Sequence, residues 1–267
     1  LKKGADYIHW DEKRKEYANQ TGDVRRGVGM ALFSYKTGVW PISLEISGAR
    51  LSLNQDGSVQ LTLGATEIGQ GADTVFSQMV AETLHTDMEH VHIKTVQDTD
   101  ISPFDTGAYA SRQSFVTGTA VRHCAEILRD KILAYAKTLL PEIDTTELEL
   151  QDNWIWAGKE QAISLAALAE ESYYSLTNSS VLTAEVSEQV KKNTIATGCC
   201  FAEVEVDMKL GKIKVLHIIN VHDSGKLLNP QLAEMQVHGG ISMGMGYGIS
   251  EQLILDENTG RPPNGHH

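Results

Sequence analysis

The stretch Leu61 to Gln78, LTLGATEIGQGADTVFSQ, runs from apolar residues through a glycine loop into an amphipathic segment. A strand that feeds a helix through glycines makes an anion cradle. Gly64, Gly69 and Gly71 let backbone N–H groups come close to a ligand, and the helix N-terminus adds the positive end of its dipole. The spacing GxxxxG is also that of a nucleotide phosphate loop, whose pattern continues with a lysine for the outer phosphates and a hydroxyl for magnesium. Gln70 stands where that lysine would be, and Gly71 where the hydroxyl would be. A neutral amide donates and accepts hydrogen bonds but does not offset a triphosphate, which disfavours a nucleotide module. On this motif alone, a purely structural glycine turn stays open.

Two further segments have the same character. Asp98 to Ser114, DTDISPFDTGAYASRQS, is dense in Asp, Ser, Thr, Pro and Gly and ends in a helix start. Ala108, Ala110 and Ser111 are small enough to let backbone approach a ligand, and Arg112 adds a positive fork. Asp98, Asp100 and Asp105 read as turn formers and helix caps. The third segment, HDSGKLLNPQLAEMQVHGG, leaves a strand and opens a helix with Asn229 as cap and Pro230 at the first position. Gln236 lies inside that helix, and Gly240, Gly244 and Gly248 recur every four residues on one face. Three separated segments of this kind suit one large, polar, anionic ligand, and none supplies an obvious nucleophile or base. His90 and His92 lie two apart on one strand face without a third ligand nearby, which favours a half-exposed strand over a metal site. Cys124 falls in an apolar stripe and reads as a small core residue, and Cys199-Cys200 as buried strand thiols.

The elements that must carry these segments follow from periodicity. Residues 5–20 read as a surface helix anchored by Trp10, Gly27 to Tyr35 as a buried strand, and Val39 to Ile46 as a second extended stretch. Leu51, Leu53, Val59, Leu61 and Leu63 alternate on either side of the turn Asn54-Gln55-Asp56-Gly57, the pattern of a hairpin. Val75, Phe76, Met79, Val80 and Leu84 share a helix face. A long helix is expected over about 113–140. Residues 153–165 read as a small hairpin, 165–174 as a short helix and 177–194 as a polar connection. Phe201 to Asp207 and Lys212 to Val221 form a hairpin about Gly211, with Glu203, Glu205 and Asp207 set against Lys212 and Lys214 across the strands.

The chain has 267 residues, 41% hydrophobic and 22% charged, with a net charge of −12. That balance is ordinary for a globular protein and argues against nucleic acid, whose binding rests on clustered Lys and Arg. Three cysteines make no disulfide framework, no apolar run approaches a membrane span, and the first residues lack the apolar core of a signal peptide. The reading is a cytoplasmic protein. The terminal pair His266-His267 is given no function.

Together, GATEIGQGADT, DTDISPFDTGAYASRQS and HDSGKLLNPQLAEMQVHGG resemble the molybdopterin-binding large subunit of the xanthine dehydrogenase and aldehyde oxidase family, over about residues 28–255. The detail is most similar to the separate molybdenum subunit of bacterial purine-oxidising members. The resemblance implies molybdenum held by molybdopterin, as the cytosine dinucleotide in many bacteria. It implies cofactor contacts at Gly69, Gln70 and Gly71, at Ala110, Ser111, Arg112, Gln113 and Ser114, and at Gln236, with Trp40 near the substrate pocket. Met243 and His238 depart from the family's usual glutamine and acidic residue. The family's glycine-glutamate motif, which carries its general base, has no match after Leu255, so no catalytic residue is assigned, and the chain reads as the second cofactor-binding region of a larger subunit.

The expected fold class is α+β: mixed sheets with long helices in two similar sub-regions. The boundaries are an N-terminal helical segment 1–24, cofactor-binding sub-region one 25–140, an excursion 141–196 and sub-region two 197–267. The implied activity is hydroxylation of purines such as xanthine and hypoxanthine with water-derived oxygen. Electrons would pass to 2Fe-2S and FAD partners in a larger hetero-oligomer, with no nucleic acid or membrane. The alternatives are a non-catalytic molybdopterin-binding module and a related hydroxylase of aldehydes or nicotinate.

Overall fold

The computed structural model describes residues 1–94, 96–144 and 147–263, so the terminal histidine pair lies outside the described residues. In chain order the elements are α1 (Lys2–Ile8), α2 (Trp10–Glu16), β1 (Val24–Thr37), β2 (Ile46–Leu53), β3 (Val59–Leu63), α3 (Ala72–Leu84), β4 (Val91–Ile93), α4 (Gln113–Leu139), β5 (Leu148–Gln151), β6 (Trp154–Ala157), β7 (Glu160–Ser164), α5 (Leu165–Tyr174), β8 (Thr183–Gln189), β9 (Thr194–Asp207), β10 (Lys212–Asp223) and α6 (Pro230–Ile249). Helices and mixed sheets are both present, as expected of an α+β chain. Contacts divide it into two units, Leu1–Tyr35 with Ala196–His267, and Lys36–Ile195.

The second unit is built on the sheet β4-β3-β2-β8. The alternating residues Leu51, Leu53, Val59, Leu61 and Leu63 are each 1% exposed or less, so the period-two stripe is a true core face. Its β2–β3 hairpin turns at Gly57, whose φ of +84° suits glycine and where a Cβ would meet Ala166 N at 2.7 Å. α3 and α4 add Phe76, Val80, Leu84, Val121, Cys124, Leu128 and Ile132 to the same core. At Gly118 a Cβ would meet the Met79 thioether at 2.8 Å, which marks how closely these two helices approach. A three-stranded sheet, β5-β6-β7, and the capped helix α5 complete the unit.

The first unit holds the sheet β1-β9-β10. Its small core is Ile8, Val28, Cys199 and Phe201, with Trp10 edge-on to Phe201 at 5.6 Å. The 5–20 helix of the sequence reading is two short helices broken at His9, which takes a left-handed φ of 58°, followed by a 3₁₀ turn at Tyr17–Asn19. β1 is a strand but not a buried one, because only Val28 on it is buried; Met30, Leu32, Phe33 and Tyr35 are exposed. Among the described residues α6 buries none of its side chains.

Three other expectations change. Residues 39–45 are turn and irregular chain around a cis Trp40–Pro41 bond, and the strand starts at Ile46. Residues 183–189, expected within a polar connection, are β8, paired antiparallel with β2 and turning Ala184 and Val186 into the core. Pairing of β1 beside β9 also draws residues 25–35 into the unit that holds the C-terminal stretch, where the sequence reading placed them with 36–140.

Candidate functional site

The glycine loop between β3 and α3 folds around its own side chains. Glu67 accepts hydrogen bonds from Gly69 N at 2.7 Å, Gly71 N at 3.1 Å and Asp73 N at 3.0 Å. Burial opposes its charge, but the backbone N–H groups of Asp73, Gly71, Gly69 and Ala72 prevail and hold its carboxyl below the usual range. Gln70 turns back into the loop, donating from Nε2 to Thr66 O at 2.9 Å and accepting from Ile68 N at 2.7 Å. Gly69 has φ of +99° and nothing within 4 Å of where a Cβ would lie, so the loop crest is open.

The second loop reaches the same place through close backbone contacts. A Cβ on Gly64 would meet Pro103 O at 2.1 Å, and one on Gly48 would meet Pro103 Cβ at 2.7 Å. Gly48 N donates to Phe104 O, and Ser47 bridges to Asp105. Past this crossing, Ala110 and Ser111 both adopt left-handed φ values, 48° and 51°, an unusual pair for residues with a Cβ. Ala110 O is tied down by Gly38 N at 2.9 Å.

Arg112 is where the structure departs most from the sequence reading. Its guanidinium is fully buried, donating from Nε to Glu45 at 2.5 Å and from Nη1 to Asp105 at 2.8 Å and Gly107 O at 3.0 Å. Nη2 donates to Ile46 O at 2.7 Å. The group also lies over the Tyr109 ring, 5.5 Å from its centroid. Glu45 further accepts from Val39 N, and Asp105 from Ser47, Thr117 and Gly107 N. Expected as a phosphate contact, this side chain is instead spent inside the protein, holding the loop that ends in the left-handed pair. Asp98 and Asp105 both act as turn formers, accepting from Asp100 N and Gly107 N, and Asp105 belongs to the buried network as well.

The two loops meet through their glutamines. Gln70 Nε2 donates to Gln113 Oε1 at 2.6 Å, and Gln113 Nε2 donates to Thr66 O at 3.1 Å. Gly69, Gln70 and Gly71 are thus brought beside Ala110, Ser111, Gln113 and Ser114. Ser111 and Ser114 are exposed, and α4 begins with no side-chain cap. The two helix entrances therefore differ: a carboxylate fills that of α3, and among the described residues no side chain caps that of α4. Neutral amides, small residues and uncapped N–H groups fit a large hydrogen-bonding ring with an anionic arm better than they fit a triphosphate. Gln236 is not among the residues this unit gathers; it is exposed on α6 in the other unit, where Gly240, Gly244 and Gly248 face open space. Trp40 is half-buried, its carbonyl accepting from Asn193 and Lys36.

Sequence reasoning missed Glu45, Ser47, Glu67 and Thr117. Glu67 had a local signal, since a carboxylate two to six residues ahead of three loop and helix N–H groups is a ready cap; Glu45 had none, its partner lying 67 residues away. The other candidates resolve plainly. Cys124 is buried, donates to Ala49 O and Ala184 O, and burial pushes its thiol up to about 11, which makes it a core residue. No group of three or more His, Cys, Asp or Glu side chains among the described residues is arranged to hold a metal. Lys212 and Lys214 do lie opposite Asp207 and Glu205, but Glu203 binds Lys13, Tyr17 and His217 instead, and Glu205 binds Arg26.

This mixed fold is shared with solved enzyme structures. Over 95% of the chain and 34% of the other, it matches quinoline 2-oxidoreductase from Pseudomonas putida 86 with a TM-score of 0.82 at 22% identity. It matches the Cu,Mo-CO dehydrogenase with a TM-score of 0.83 at 23% identity, over 96% of the chain and 34% of the other. Residues 3–266 match the molybdopterin cofactor-binding domain, and the chain belongs to that family. It is 46% identical, over 99% of its length, to the putative xanthine dehydrogenase molybdenum-binding subunit of Escherichia coli K12, of which it spans 36%. It is 26% identical to the nicotine 6-hydroxylase large subunit of Paenarthrobacter nicotinovorans over 91% of the chain and 31% of that subunit. The chain thus spans about a third of the length of these relatives. Among the described residues no helix is long and apolar enough to cross a membrane.

Proposed function

We propose that this chain holds a molybdenum–molybdopterin cofactor for a purine hydroxylase of xanthine dehydrogenase type, with xanthine or hypoxanthine as substrate. The observation that carries the assignment to this site is the contact between Gln70 and Gln113, which joins two of the three motifs of the resemblance in one place. The support for the substrate class is the 46% identity to a subunit named for xanthine dehydrogenase. In this reading the loop crest at Gly69, Gln70 and Gly71 and the small turn at Ala110 and Ser111 flank the pterin. The entrance of α4, with Gln113 and Ser114, receives the cofactor's anionic arm. Bound, the cofactor would supply the two-electron redox centre at which a heterocycle gains oxygen derived from water. The protein's part is to bind, orient and hydrogen-bond. 2Fe-2S and FAD partners in a cytoplasmic hetero-oligomer would remove the electrons, and the cofactor would carry a cytosine dinucleotide.

The experiment is metal and pterin analysis of the protein purified from its host together with whatever co-purifies. Molybdenum and oxidised pterin in about equal amounts, with turnover of xanthine, are expected. Gln70→Ala combined with Gln113→Ala should lower both contents by roughly tenfold, the usual scale for supporting contacts around a bound metal group. Parental contents in that double variant would overturn the site. Cofactor without turnover of any N-heterocycle or aldehyde would instead favour a non-catalytic binding module.

A further inference from the structure

The loop ahead of α3 is arranged around a single carboxylate. Oε1 of Glu67 takes the N–H groups of Gly69 and Gly71, and Oε2 takes that of Asp73. Those are the donors that an outside anion would use at a helix entrance, where the dipole favours negative charge. Asp73 stands beside them, its Oδ1 buried and without a hydrogen bond among the described residues. A second anion arriving here would lose its donors to Glu67 and meet two carboxylates. The same bonds also set the course of the chain on both sides of Gln70, whose amide reaches Thr66 and Gln113 only from that course.

We infer that Glu67 is a positioning residue of the cofactor site: its carboxylate is the permanent anion of the α3 entrance, and by holding Gly69, Gly71 and Asp73 it aims Gln70 at Gln113. The anionic arm of the cofactor is thereby directed to α4. This inference rests on the molybdopterin reading for its cofactor arm and on the loop geometry alone for its anion arm. It assigns Glu67 no contact with the cofactor.

The test uses the protein purified from its host in four forms: parent, Glu67→Ala, Glu67→Gln and Glu67→Asp. Molybdenum and pterin contents are measured in each, together with the melting temperature with and without acetate, and separately with and without inorganic phosphate. Glu67→Ala should lose about tenfold or more of both contents, as supporting contacts around metal groups do. With both proteins stripped of cofactor, so that the α4 entrance is equally free in each, Glu67→Ala should gain more thermal stability from acetate or phosphate than the parent, because the N–H groups vacated by Glu67 add a second anion site. Glu67→Gln keeps the side-chain volume and guards against a folding defect; it should show the same direction of loss, and Glu67→Asp should recover part of the content. Three results would overturn the inference: parental cofactor content in Glu67→Ala, parental content in Glu67→Gln, or an equal response of parent and Glu67→Ala to the free anions. If the parent itself holds neither molybdenum nor pterin, the functional reading fails, and the anion arm still decides the role of Glu67.

Discussion

Replacing Arg112 by methionine separates a buried strut from a surface phosphate contact. Methionine roughly keeps the volume but removes the fork, and with it four hydrogen bonds of 2.5 to 3.0 Å. Glu45 and Asp105 would stay behind with side chains at 0% exposure and no cation, the situation in which breaking a buried pair costs about 3–5 kcal/mol. Among the described residues Glu45 would keep only Val39 N, and Asp105 its hydroxyl and backbone donors, so neither carboxylate would be neutralised. For a protein of this size that loss predicts a fall in melting temperature of roughly 6–20 °C. Thermal and urea unfolding of the purified protein, followed by circular dichroism, would measure it. Glu45→Gln combined with Arg112→Met should cost less than the sum of the single changes, because each removes the other's penalty. Arg112→Lys should rescue little, since a single ammonium cannot reach both carboxylates and two carbonyls. If Arg112→Met unfolds at the parental temperature and loses only cofactor, the buried-strut account is refuted and the phosphate contact read from the sequence stands.

Two further outcomes follow from the packing and from one buried carboxylate. Gly64→Ala would drive a methyl group into Pro103 O, a backbone atom 2.1 Å from the Cβ position, and should destabilise by about 1–3 kcal/mol as overpacking does; a parental unfolding midpoint in urea would refute the close crossing of the two loops. Burial alone would push the Glu203 carboxyl up, but hydrogen bonds from Lys13, Tyr17 and His217 hold it down at about 2. A folded value below the unfolded one of about 4.3 means that its stabilisation is present above that pH and is lost as the pH falls toward 2. Melting temperatures measured between about pH 5 and pH 2 should therefore fall less steeply in Glu203→Gln than in the parent, and identical slopes would refute the linkage.

Local residue spacing sets the elements that carry the site. Period-two leucines and valines about Asn54-Gly57 require a hairpin, because only alternation buries one face of a strand. The three-and-four spacing in α3 and α4 likewise fixes their buried faces, and Asn229 with Pro230 opens α6 as caps do: Asn229 accepts from Leu232 N at 3.0 Å. The glutamines and small residues of the site were legible as two motifs for the same reason: both sit at helix entrances, whose chemistry is written within a few residues. What those residues bond to was decided by tertiary structure. Glu45 meets Arg112 across 67 positions, and Ser47 meets Thr117 across 70. β8 joins β2 across more than 130 residues, with only Ala184 and Val186 to announce it. A positive charge beside a helix entrance reads as a ligand contact in sequence because the carboxylates of its own loop, Asp105 among them, read as turn formers rather than as its partners. Burial reverses that reading, since a desolvated guanidinium must find carboxylates wherever the fold brings them, and here the fold brings two.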